Sequence, residues 1–197
     1  MNLKTRDMIL VALFAALTAI GAYLKIPTQP VPITLQILFC MYAGALLGAR
    51  LGFLSQLVYV IMGLIGLPVF AGGVGGFSYV LKPSFGYLIG FILCGYIIGK
   101  LSENIGQVKG FKGGIKLFGA AVAGLAVVYA IGVPYLYMIF NFYMGKAIDF
   151  NTALKWGLYP FIVQDLVKCL VVAITSVRVI PAIRRAGYVK NPKTIME

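Results

Sequence analysis

The run LYPFIVQDLVKCLVVAITSVRVIP, Leu158 to Pro181, decides the fold. It is long enough to cross the roughly 20-residue hydrocarbon core of a bilayer as a helix. Its apolar residues are continuous and do not alternate, so it reads as a helix and not as a barrel strand. Two charges interrupt its interior, Asp165 and Lys168, and Arg178 lies near its end. The first two are one helical turn apart and share a face. On insertion scales each would cost roughly 2.5–3.5 kcal/mol at the centre of a membrane helix, and pairing reduces that cost. An intramembrane charge pair of this kind is a candidate functional site; the structural alternative is a salt bridge that fixes helix register.

The rest of the chain has the same character. Hydrophobic residues make up 61% of the 197 residues and charged residues 11%, against roughly 25% charged in soluble domains. A soluble domain of this size has too much surface to hide so much apolar material. The reading is therefore an all-α integral membrane protein, a single domain over residues 1–197. Six spans are predicted, at about residues 6–25, 33–49, 51–67, 84–101, 115–142 and 158–181. The second and third are short and meet around Arg50. The apolar segment Met8 to Leu24 has basic flanks but no small-x-small cleavage site before a polar region, so it is expected to be the first span and not a removed leader.

The net charge of +12 would suggest nucleic acid in a soluble chain, but here the cations fall in loops and orient the spans. With the N-terminus inside, the inner segments carry Lys4, Arg6, Arg50, Lys100, Lys109, Lys112, Lys116, Arg178, Arg184, Arg185, Lys190 and Lys193. The outer segments carry only Lys25, Lys82, Lys146 and Lys155. This bias predicts a multi-pass protein of the cell membrane with both termini cytoplasmic.

Other classes are disfavoured. The chain has no histidine, which removes His-based metal sites and His-dependent triads. Cys40, Cys94 and Cys169 all lie in apolar runs and read as buried packing. Gly95 to Leu101, GYIIGKL, lacks the phosphate-loop spacing. No paired carboxylates or nucleophile elbow suit hydrolysis. The expectation is a protein that is not an enzyme and has no energy source of its own.

The outer loops are unusual. The first carries Pro27, Pro30 and Pro32. The second, from Leu67 to Ser84, reads LPVFAGGVGGFSYVLKPS, apolar and glycine-rich where surface loops are normally polar. It is expected to fold back on the bundle, either as packing or as a lid over a ligand. Small residues four apart, Ala12 with Ala16 and Ala15 with Ala19, allow close helix approach on the first span. Gly86, Gly90, Gly95 and Gly99 on the fourth span suggest internal packing.

Four segments taken in order, VPITLQ (Val31 to Gln36), GLPVFAGGVGG (Gly66 to Gly76), GYLIGF (Gly86 to Phe91) and the Asp165/Lys168 pair, resemble the BioY family over nearly the whole chain. These are the biotin-specific substrate-binding (S) components of energy-coupling-factor transporters. The resemblance implies a six-helix S component that takes biotin at the outer face, with no cofactor and no metal. Its implied partners are a transmembrane coupling subunit and two ATPase subunits. The resemblance implies docking through Ala12, Ala15, Ala16 and Ala19, and ligand contact through Asp165 and Lys168. The chain departs from the family pattern at Lys82 to Gly86, KPSFG, where G-P-T-G-G is usual.

Chemistry is compatible with that ligand. Asp165 can accept from ureido N–H groups while Lys168 donates to the ureido carbonyl. Phe70 and Tyr87 are candidates to cover the bicycle. Lys82, Gln36 or the N–H groups of Gly72, Gly73, Gly75 and Gly76 are candidates for the carboxylate. Alternatives are an S component for another vitamin, or a self-contained secondary transporter with Asp165 as its proton site. Inverted repeats would mark the latter, and none is visible. A membrane-embedded enzyme is a third reading, disfavoured by the missing catalytic constellation.

Overall fold

The computed structural model describes residues 4–105 and 110–185. Of the cations counted above, Lys109, Lys190, Lys193 and the side chain of Arg184 lie outside the described residues. The order is α1 (Thr5–Tyr23), a two-residue hairpin of β1 (Lys25–Ile26) and β2 (Ile33–Thr34), α2 (Gln36–Leu47), α3 (Ala49–Leu64), a 3-10 turn at Phe77–Leu81, α4 (Phe85–Glu103), α5 (Gly110–Met138), α6 (Phe150–Gly157) and α7 (Tyr159–Arg185). A π-helical turn, Ile139–Tyr143, continues α5. The protein is mostly helical, as the composition requires.

Among the described residues, four helical segments are long and apolar enough to cross a membrane: α1, α4, α5 with its π turn, and α7. The other two expected spans are shorter apolar helices, α2 with 12 residues and α3 with 16. At 1.5 Å per residue these reach only about 18 and 24 Å, less than the ~30 Å hydrocarbon core. The hairpin takes the residues that α2 was expected to begin with. The break between α2 and α3 falls at Gly48, in the left-handed region at φ 87°, rather than at Arg50. Glu103, from the end of α4, accepts the Ala49 N–H at 2.9 Å and so caps α3 from across the bundle.

α6 lies between the expected spans at 115–142 and 158–181. Asp149 caps its start, accepting the Thr152 N–H at 3.2 Å. It is strongly amphipathic: Ala153 is buried and Leu154 packs on the core.

One core joins buried residues of α1 to α7. Glycine lets the backbones close up. A Cβ on Gly90 would stand 2.8 Å from the Val128 Cα, and one on Gly95 would stand 2.8 Å from the Gly52 carbonyl oxygen. The small residues of α4 therefore face inward against α5 and α3, as the spacing suggested. All three cysteines are buried and none forms a disulfide.

The long loop after α3 folds back on the helices. Gly63 leaves room for the Phe70 ring, and Gly76 donates its N–H to the Gly63 carbonyl at 2.7 Å. Three tyrosines hold loop carbonyls: Tyr23 holds Pro68, Tyr59 holds Val69 at 3.1 Å, and Tyr135 holds Val80.

Candidate functional site

The interior charge pair of α7 forms as the spacing predicted. Lys168 Nζ lies 2.7 Å from Asp165 Oδ1, and both side chains are about nine-tenths buried. Two further groups hold the pair. The Tyr129 hydroxyl, from α5, donates to Asp165 Oδ2 at 2.6 Å. Lys168 Nζ donates to the Thr34 carbonyl at 2.9 Å, which ties α7 to the hairpin. Each carboxylate oxygen thus takes one fixed donor, and the ammonium uses two of its three protons. One N–H and further carboxylate lone pairs remain for a ligand. A site of this kind offers a donor and an acceptor side by side, which suits a group with adjacent N–H and C=O.

The pair opens into a narrow pocket. The space between its walls is about 550 Å³, open mouth included. The walls are largely apolar, from Val31 and Pro32 on the first loop to Leu88 and Phe91 on α4 and Phe161 on α7. Tyr79, Ser84, Gln36 and Tyr87 add polar atoms. A pocket of apolar walls with a few placed polar groups is the usual form of a small-molecule site.

Four expected contacts converge here: Asp165, Lys168, Gln36 and Tyr87. Gln36 is braced, its amide donating to the Tyr59 hydroxyl at 2.8 Å, and Tyr59 in turn holds the long loop. Tyr87 donates to the Gly157 carbonyl at 2.8 Å, and its ring meets Tyr129 edge-on at 6.4 Å.

The remaining expected contacts lie outside the pocket lining. Phe70 is fully buried, edge-on to Tyr59 and tilted against Tyr79, so it supports the pocket wall from behind. Gly72 and Gly73 lie beside Lys25 and Tyr23, while Gly75 and Gly76 fold the loop onto Gly63. These glycines shape the loop and do not line the pocket. Their neighbour Ala71 does. Lys82 is exposed, with Nζ 4.9 Å from the Tyr79 ring centre, outside the pocket lining.

Sequence reading missed Tyr129, Thr34 and Ser84. A tyrosine in a long apolar helix, and a backbone carbonyl, carry no local signal of what they face.

The alanine pattern on α1 splits between two faces. Ala12 and Ala16 are exposed. Ala15 is fully buried and Ala19 is partly buried against the core, so these two face the bundle.

Comparison with known proteins gives one answer. A family model described as the BioY family matches residues 1–185. The chain is 42% identical over 189 residues to a probable biotin transporter BioY of Lysinibacillus sphaericus, covering 95% of this chain and 93% of that one. It is 38% identical to the biotin transporter BioY of Thermotoga maritima, covering 88% and 95%. Among solved structures it is similar to the S-component for biotin from an ECF-type ABC transporter. The TM-score there is 0.68 at 28% identity, covering 90% of this chain and 94% of that one.

Proposed function

This chain belongs to the BioY family, and on that premise we propose that it captures biotin for uptake as the S component of an energy-coupling-factor transporter. It is a multi-pass membrane protein and a transport component, not an enzyme. The observation that carries the ligand assignment is the buried Asp165–Lys168 pair in the pocket lining, braced by Tyr129 and Thr34.

In this reading the ureido ring goes to that pair. Asp165 accepts a ureido N–H and Lys168 donates its remaining proton to the ureido oxygen. The bicycle lies between Tyr87 and the apolar walls. The valerate carboxylate points to the mouth, near Ser84 and Tyr79, where Lys82 supplies positive charge from outside. No cofactor takes part.

The topology reading is six crossings within one domain, α2 and α3 spanning together with the four long helices, and both termini cytoplasmic. The exposed Ala12/Ala16 face of α1 is the docking surface for a transmembrane coupling subunit, itself driven by two ATPase subunits.

The test is binding of biotin to the purified chain in detergent, beside two analogues. One is biotinamide, which alters the tail. The other is iminobiotin, in which an imino group replaces the ureido oxygen and makes the ring a guanidine. Protonated iminobiotin should be rejected strongly by Lys168, and biotinamide should lose less. Equal binding of biotin and protonated iminobiotin would place the other end of the ligand at Asp165 and Lys168.

A further inference from the structure

The junction between α5 and α7 has more exposed aromatic surface than a loop facing water should have. Phe142 is 83% exposed, and Tyr143, Phe150, Trp156 and Tyr159 are 40–59% exposed. They are interleaved with exposed Lys146, Asp149 and Lys155.

The segment is not loose. The Asn141 side chain accepts the Ile148 N–H and donates to the Ile148 carbonyl, both at 3.2 Å. Phe150 packs edge-on against Tyr137 with centroids 5.9 Å apart, and Trp156 lies 5.5 Å from buried Phe140. Phe150 and Trp156 therefore each have one side fixed to the bundle and the other side exposed. A fixed, aromatic-rich patch mixed with cations needs an apolar but wet neighbour.

The heights of these residues agree from two directions. About 20 residues cross the hydrocarbon core. Counted from Lys116 on α5, that reaches the neighbourhood of Leu136, and Phe142 stands about 9 Å further along the axis, less when the helix tilts. Counted back from Arg178 on α7, it reaches Leu158, at the end of α6. The polar zone between hydrocarbon and water is ~5–8 Å thick on each side. Both counts put the aromatic cluster at that level, where tryptophan and tyrosine concentrate.

We propose that α6 and its flanks form a membrane-interface anchor, with Phe142, Tyr143, Phe150, Trp156 and Tyr159 seated at the lipid headgroup level at the end remote from Lys116 and Arg178. The partner is the glycerol and headgroup region of the bilayer. Lys146 and Lys155 face its phosphates, and Asn151 faces water. The anchor also touches the ligand site. The Gly157 carbonyl, next to Trp156, accepts from the Tyr87 hydroxyl, and Tyr87 lines the pocket beside Tyr129. Occupancy of the pocket is thereby felt at the membrane surface. This last step rests on the biotin reading above; the anchor itself does not.

Trp156 is the only tryptophan of the chain, so its fluorescence reports this position without labelling. The full chain is reconstituted in phosphatidylcholine vesicles, with lipids brominated either close to the glycerol or close to the acyl-chain end, and with iodide added to the water. The anchor predicts stronger quenching by the shallow bromines than by the deep ones, with iodide the weakest of the three.

Dominant quenching by iodide would overturn it in favour of a water-facing helix. Dominant deep quenching would make the segment part of the hydrocarbon span. No quenching by any of the three would mean that protein covers the patch, such as a second copy of the chain.

The link to the pocket is read in the same vesicles once biotin binding has been measured by dialysis. Saturating biotin should shift Trp156 emission, and Tyr87→Phe, at biotin concentrations that still saturate it, should reduce the shift. Bound biotin with no shift overturns the link and leaves the depth result standing, and absence of biotin binding fails the function and not the anchor.

Discussion

At the scale of single residues, the site depends on a charge pair that neither partner can keep alone. Asp165→Asn should weaken biotin binding by well over tenfold, because truncating one partner of a buried, hydrogen-bonded charge costs roughly 2–5 kcal/mol. Asparagine keeps the shape and one acceptor, so the variant should fold; unchanged biotin affinity in a folded variant would make Asp165 a structural partner only. Tyr129→Phe removes the 2.6 Å donor to Asp165 and leaves the ring packed on Tyr87. A hydrogen bond to a charged group contributes roughly 1.5–3 kcal/mol. Affinity for biotin, measured by isothermal titration, should therefore fall by roughly tenfold or more. The two changes should be less than additive in a double-mutant cycle, since both act on one carboxylate. Additive losses would show that Tyr129 and Asp165 act independently.

Among the helices, α1 and α6 make separable predictions. Ala16 is exposed and Ala15 is fully buried, one residue apart. Ala16→Trp should leave biotin binding intact and block co-purification with the coupling subunit, because bulk on a close-packing face costs association. Ala15→Trp should instead lower the thermal midpoint of the isolated chain through overpacking. The reverse pattern would mean that the docking face lies elsewhere.

For α6, hydrogen bonding from Thr152 holds the Asp149 carboxyl below its ordinary value of 3.8. Its contribution to the helix is then fully present above that value and is lost as pH falls through the lower, folded value. Trp156 emission should stay constant from neutral pH down to the ordinary carboxylate range and change below it. Asp149→Ala should show the acid-like emission at neutral pH, and an unaltered spectrum would remove the cap from the account.

For the molecule as a whole, the charge bias sets the direction in the membrane. The three native cysteines are buried, so an introduced cysteine can be labelled against a low background. A cysteine at Lys116 should react with a membrane-impermeant reagent only from the cytoplasmic side, and one at Lys155 only from outside. The opposite result would invert the topology and put the pocket mouth in the cytoplasm.

The sequence by itself determined the solvent, the long apolar helices and the charge pair. Those follow from properties read along the chain: apolar runs long enough to need lipid, and two charges one turn apart that cannot be left unpaired there. The tertiary structure alone decided what surrounds them. Tyr129, 36 positions before Asp165, and the Thr34 carbonyl, 134 before Lys168, reach the pair only because α5 and the hairpin pack against α7. Phe70 and the glycines looked like ligand contacts because apolar and flexible residues suit both a lid and a loop core; only the seat at Gly63 separates the two roles. Small residues at Ala12, Ala15, Ala16 and Ala19 fit a partner's helix or a neighbour's equally well. Which of them face outward is set by how α1 is rotated on the bundle, a quantity that depends on contacts with α2 and α3 and is written nowhere within α1 itself.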